Sequence, residues 1–307
     1  MKGLELCERY YREIGRPALE RSCPELLPHL AAGLVGEGSE CLGLDDELSR
    51  DHDWGPGFCL WLTDEDYDRF GSTVQKVYTS LPRSFLGFER LCENELSGGR
   101  VGVMRIGDFY ERFLGLRQAP RTAGEWLSLG DTALCLATNG ELFEDGPGIF
   151  TGIRKELAAY YPEDIRLKHL AARCAMASRA GQYQLPRCLQ RGAAAAAYRC
   201  QADFVEQAEA ILFLLARRYR PYYKWSQRML AQLPGMEHAA GLLAELSVAA
   251  PDGAAGIVEE LCALIARLLR EQGLSRDDDP FLLKQAEAVQ ASIQREGLRS
   301  LPLFSFP

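Results

Sequence analysis

Residues 153 to 296 carry seven apolar stripes of helical period and no strand signal. The stripes lie at 153–161, 164–180, 189–220, 224–233, 237–249, 256–272 and 280–296. Pro162, Gly181, Pro186, Pro221, Pro234-Gly235, Pro251 and Gly273 separate them. Apolar residues every three or four positions give each helix one face to bury. Helices of that kind must pack on one another. The C-terminal half therefore predicts a helical bundle. Its one strand-like piece is the apolar tail Leu301 to Phe306.

The first 150 residues have a different texture. Ala31–Val35, Phe58–Thr63, Arg100–Ile106 and Gly140–Asp145 are short apolar or alternating runs bounded by turn residues, and they read as strands. Residues 3–14 read as an amphipathic helix ended near Gly15 and Pro17. A shorter helix over 18–30 is interrupted by Pro24 and Pro28. Thr63 or Asp64 caps a helix reaching about Ser80, because Asp64, Glu65 and Asp66 suit a first turn. Asp108–Gly115 reads as helical, and Trp126–Ala137 fits strand or helix. The fold class is α+β: a small mixed sheet with helices over residues 1–150, then an all-α helical bundle over 151–307.

Composition narrows the partners. Hydrophobic residues make up 47% and charged residues 25%, enough to build a sizeable core. The net charge is −8, and it is concentrated between residues 40 and 68, where ten carboxylates face Arg50 and Arg69. Such a cluster needs solvent or cations. It argues against generic nucleic-acid binding. Ten cysteines are scattered without a Cys-x-x-Cys pair. The first residues are charged, with no signal-type apolar region, and no run is long enough to span a bilayer. These features predict a cytoplasmic protein with reduced thiols and no membrane partner.

The chemistry concentrates in Gly36 to Gly57. Gly38 permits positive φ and close approach to a phosphate, and Ser39 adds a hydroxyl donor. After eleven intervening residues come Asp51 and Asp53, then the apolar run from Phe58. If these aspartates lie on a strand, i and i+2 share a face, and the two carboxylates repel unless a hard cation such as Mg²⁺ neutralises them. A solvated acidic loop is the competing reading. His52 would point away from that face. His29, His169 and His238 stand isolated, and Trp61 and Trp126 read as core. Asp45-Asp46-Glu47 fits either an annex to a cation site or a solvated loop. Arg217–Trp225 mixes cations and aromatics, so Lys224 could meet a triphosphate, or the stretch could be a packed corner. Glu206 and Glu209 could act as a general base, or simply face solvent.

The Gly38-Ser39…Asp51-x-Asp53 arrangement before an apolar run resembles the polymerase-β-type nucleotidyltransferase superfamily. More narrowly, residues 38–56 resemble the bacterial family labelled domain of unknown function 4037. So do Glu125-Trp-Leu, Gly140–Asp145, Ile153-Arg154, Tyr160-Tyr-Pro162 and Arg217–Trp225. The resemblance implies that Gly38 and Ser39 bind nucleotide phosphates and that Asp51 and Asp53 hold Mg²⁺. It implies a nucleoside triphosphate substrate, ATP first, and a hydroxyl acceptor, with an aminoglycoside-like cation suited to an acidic cleft. The superfamily's usual third carboxylate is missing from Arg100–Ile106, which leaves Asp108, Asp131 and Asp145 as alternatives. The other expectation is a catalytically weak nucleotide-binding module, regulatory or of the toxin–antitoxin type.

Overall fold

The computed structural model describes residues 1–51, 54–91 and 99–304. The chain divides into two compact units. The first comprises Met1–Arg121 and Ala133–Ala159; the second comprises Thr122–Thr132 and Tyr160–Pro307. A single cut at residue 150 does not reproduce this division, because the second unit also takes Thr122–Thr132 from within the N-terminal half.

In the first unit, α1 (Gly3–Tyr10) runs through a π-turn, Tyr11–Gly15, into α2 (Arg16–Ser22). The helix therefore passes the expected stop at Gly15 and Pro17. Pro17 sits in the first turn of α2, where a missing N–H costs little. Gly15 is there for closeness: a Cβ would collide with the Phe58 ring. Pro24–His29 is a 3₁₀ turn rather than a second α-helix.

The sheet has the order β5-β2-β1-β6, with β1 at Leu30–Leu34, β2 at Cys59–Leu62, β5 at Gly102–Arg105 and β6 at Glu141–Asp145. β1 pairs antiparallel with β2 and β6, and β2 pairs parallel with β5. Every residue of β1 and β2 is buried, which is why neither alternates in sequence. Trp61 packs at 4.2 Å on Phe150 and 5.4 Å on Phe109, while Phe58 meets Tyr11 and Tyr78 at 5.1 Å each. α3 (Asp64–Ser80) begins at the expected cap, with Thr63 Oγ1 accepting from Asp66 N. A hairpin, β3 (Ser84–Phe85) and β4 (Phe88–Glu89), follows it, and α4 spans Ile106–Leu114.

The ambiguous stretch Trp126–Ala137 is helical. α5 (Ala123–Ser128) opens on a capping box of Thr122 and Glu125, and α6 (Asp131–Thr138) follows. α7 is Ile149–Ala158. Besides α5, the second unit is built from α8 (Glu163–Ala177), α9 (Leu185–Gln190), α10 (Ala194–Leu215), α11 (Tyr223–Leu230), α12 (Glu237–Val248), α13 (Pro251–Glu271), α14 (Leu282–Ala291) and α15 (Glu296–Arg299). Within the described part of the tail, Leu301–Phe304 is not a strand. The nine described cysteines are free. Among the described residues no helix is long and apolar enough to cross a membrane.

Candidate functional site

β1 ends at Leu34 and the chain turns at once. Gly36 and Gly38 adopt φ of +115° and +116°, a conformation that a side chain would strain. At Gly38 a Cβ would also overlap Arg100 Nη2 and Glu40 Oε2. Arg100 and Glu40 form a buried ion pair beneath the turn, 8% and 2% exposed. Burial pushes the Glu40 carboxyl up, against the pull of the Arg100 guanidinium. Arg100 Nε also donates to Glu37 O at 3.1 Å.

Asn139 closes the other side. Its Oδ1 accepts from Gly36 N at 2.8 Å, its Nδ2 donates to Gly36 O at 2.7 Å, and Gly140 N donates to Cys41 O at 2.8 Å. Arg154 in turn donates to the carbonyls of Thr138, Asn139 and Gly140. The turn is thus held by long-range hydrogen bonds before any ligand arrives. Ser39 follows, 8% exposed, and leads into a 3₁₀ turn, Glu40–Leu42. Cys7 and Cys59 are buried in this unit, and burial pushes each thiol up to about 12, so they act as small apolar groups.

Asp51 is exposed and stands in a bend directly after a 3₁₀ turn, Leu48–Arg50. It lies eight residues before β2 begins at Cys59, so the same-face argument for two strand carboxylates does not apply to it. Asp53 and His52 lie outside the described residues. Asp45 is structural: it is 3% exposed, and its carboxylate accepts from Gly3 N at 2.8 Å and Trp54 Nε1 at 3.2 Å. Asp46 accepts from Ser49 N at 3.2 Å within its own turn. Among the described residues, no three His, Cys, Asp or Glu side chains converge as a metal group.

Each alternative third carboxylate has other work. Asp108 pairs with Arg117 on the surface of α4. Asp145 caps α7, accepting from Gly148 N at 2.9 Å and Thr151 N at 2.7 Å. It pairs with Ala31, whereas the turn leaves β1 beyond Leu34, which pairs with Glu141. Three residues of strand span roughly 10 Å, so Asp145 sits at the wrong end of the sheet. Asp131 belongs to the second unit, buried, with Tyr161 Oη 3.1 Å from its Oδ1.

The second unit holds a buried ionic cluster that the sequence did not announce. Burial pushes the Asp131 carboxyl up, while Arg173 and Arg220 pull it down. Arg173 donates to Gln207 at 2.9 Å. Arg220 lies 3.7 Å from Glu206 and 4.0 Å from Glu209. Ser226 Oγ donates to Glu209 at 2.7 Å. Burial raises the Glu209 carboxyl, with Ser226 and Arg220 opposing it. His169 is 3% exposed, packs 5.0 Å from the Tyr161 ring, and is pushed down to about 3 by burial and by Arg173 and Lys168. Lys224 is exposed on α11, 5.4 Å from the Trp225 ring centroid. Gly38, Ser39 and Asp51 belong to one unit and Lys224 to the other. The signal that could have found this cluster is the set of charges, Arg166, Lys168, His169 and Arg173, among the buried apolar residues of α8.

Residues 126–226 match the family described as Domain of unknown function (DUF4037). The match covers Gly140–Asp145, Ile153-Arg154, Tyr160–Pro162 and Arg217–Trp225, and it contains the whole buried cluster. It does not extend to residues 36–57. No curated protein and no solved structure matches the chain.

Proposed function

We propose that this chain is a divalent-metal-dependent nucleotidyltransferase, moving a nucleoside monophosphate from a nucleoside triphosphate to a hydroxyl of a small acceptor. The observation that supports it most is the Gly36–Ser39 turn. Two positive-φ glycines at the end of a buried central strand are pinned by Asn139 and Arg100 rather than left loose. A preset turn of this kind suits phosphate oxygens, because little order remains to be bought on binding. Ser39 would donate to the phosphates, with ATP the first nucleotide to try.

Asp51 and Asp53 would hold Mg²⁺, whose contribution is to neutralise the triphosphate and favour pyrophosphate departure. The exposed Asp51 fits a first ligand. The stretch between Glu209 and Glu237 holds no Asp or Glu but carries Arg217, Arg218, Arg220, Lys224 and Arg228, a cationic run within the second unit.

A second reading is nucleotide binding without turnover. It is favoured by the engagement of Asp108, Asp131 and Asp145 elsewhere. Titration of Mg²⁺ and ATP into the protein tests the shared step. The proposal expects binding that weakens at least about tenfold, or about 1.4 kcal/mol, in Asp51→Ala and Ser39→Ala. Absence of nucleotide binding in the parent protein sinks both readings.

A further inference from the structure

We infer that Cys188 and Cys200 form an oxidative modification site, closing to a disulfide when the protein meets a peroxide-class oxidant. Their sulfurs lie 4.0 Å apart across the turn between α9 and α10. Cys188 is in the last turn of α9, and Cys200 is in the second turn of α10. Three residues, Arg191–Ala193, join the helices, with Gly192 at φ +67°. Gly192 N donates to Leu189 O, and Ala193 N to Cys188 O, both at 2.9 Å. A disulfide needs the sulfurs about 2 Å closer. A short turn hinged on a glycine is the kind of connection that can supply that shift.

Exposure distinguishes this pair. Among the described cysteines, Cys188 is the one that is not buried; Cys200 is 7% exposed. Arg187 lies over the Tyr183 ring and Arg199 pairs with Asp203, so the accessibility of the sulfurs, not a neighbouring charge, separates the two cysteines. Burial raises the Cys200 thiol. Cys188 is therefore the sulfur that solvent oxidant reaches first, and Cys200 the one that resolves it.

The chemistry balances with hydrogen peroxide as oxidant. The Cys188 thiolate attacks a peroxide oxygen; an S–O bond forms, the O–O bond breaks, and the leaving hydroxide takes up the proton Cys188 had released. Cys200 then gives its proton to solvent and attacks the Cys188 sulfur. The S–S bond forms, the S–O bond breaks, and the second hydroxide leaves as water. Two thiols lose two electrons, and one peroxide becomes two waters.

The test uses the full chain, folded and fully reduced. It is treated with stoichiometric hydrogen peroxide, quenched with an alkylating agent, and digested with trypsin without reduction. Cleavage at Arg187, Arg191 and Arg199 separates the two cysteines. The expected product is a Cys188–Cys200 linked peptide, lighter than its parts by two hydrogens and released by dithiothreitol. In Cys200→Ser, Cys188 should stop at the sulfenic acid and accept dimedone. In Cys188→Ser, Cys200 should stay reduced over the same interval. A linked dimer through Cys188, or Cys188 passing to sulfinic acid in the parent protein, overturns the inference. So does Cys200 oxidising as fast in Cys188→Ser as in the parent.

Discussion

The two units bury charge in different ways. In the first, Arg100 pairs with Glu40 beneath the glycine turn, and removing Arg100 takes from the buried Glu40 carboxylate the cation it faces. In the second, charge is shared: Arg173 and Arg220 both act on the buried Asp131, Tyr161 Oη lies 3.1 Å from it, and Arg173 also donates to Gln207. The comparison teaches where each unit can tolerate change. A pair is brittle, and a network loses its members in increments.

The first way to break the comparison is Arg100→Ala. It leaves the Glu40 carboxylate buried without its cation, at about 3–5 kcal/mol. Urea unfolding followed by circular dichroism reads it, and Glu40→Gln with Arg100→Met should recover part of the loss. Next is Arg173→Ala in the second unit. Asp131 keeps Arg220 and Tyr161, so the loss should be smaller, about 3 kcal/mol or less. If the two variants cost the same, the distinction between pair and network fails.

A third prediction uses pH. The folded pKa of His169 is depressed to about 3, so the neutral ring is the buried form. Its contribution to stability is fully present above its ordinary value near 6.5 and is lost as pH falls from there towards 3. Between about pH 7 and pH 5, the parent should lose about 2 kcal/mol more than His169→Gln does. Equal losses would mean that the ring is not buried in its neutral form. The smallest effect belongs to the first unit. Thr63→Ala removes the cap of α3 and should cost about 1 kcal/mol, read as a lowered melting temperature.

Much of the fold was legible because its signals are local. β1, read at 31–35, spans Leu30–Leu34. The Thr63 cap and the end of α3 at Ser80 stand where caps and breakers place them. Gly15 and Pro17 misled because a glycine needed for contact with Phe58 looks like a stop. The candidate site was legible only as a turn. Gly38 is demanded by Arg100, 62 residues away in sequence, and Gly36 is held by Asn139. No local pattern announces such partners. Asp51 sat beside an apolar strand in sequence but stands in a loop, since a period-two argument holds only where the backbone is extended. The buried charges of α8 were hidden for a related reason: several find partners distant in sequence, as Lys168 does in Gln290 and Arg173 in Gln207, both at 2.9 Å.

The central claim concerns turnover at the glycine turn. Pyrophosphate release tests it most directly, measured with Mg²⁺, ATP and a panel of hydroxylated acceptors, cationic sugars among them. The account predicts acceptor-dependent release in the parent protein, lowered at least about 100-fold in Asp51→Ala and in Asp53→Ala, whose folds circular dichroism should show intact. Tight nucleotide binding with no pyrophosphate from any acceptor, or release that persists in both variants, would contradict it.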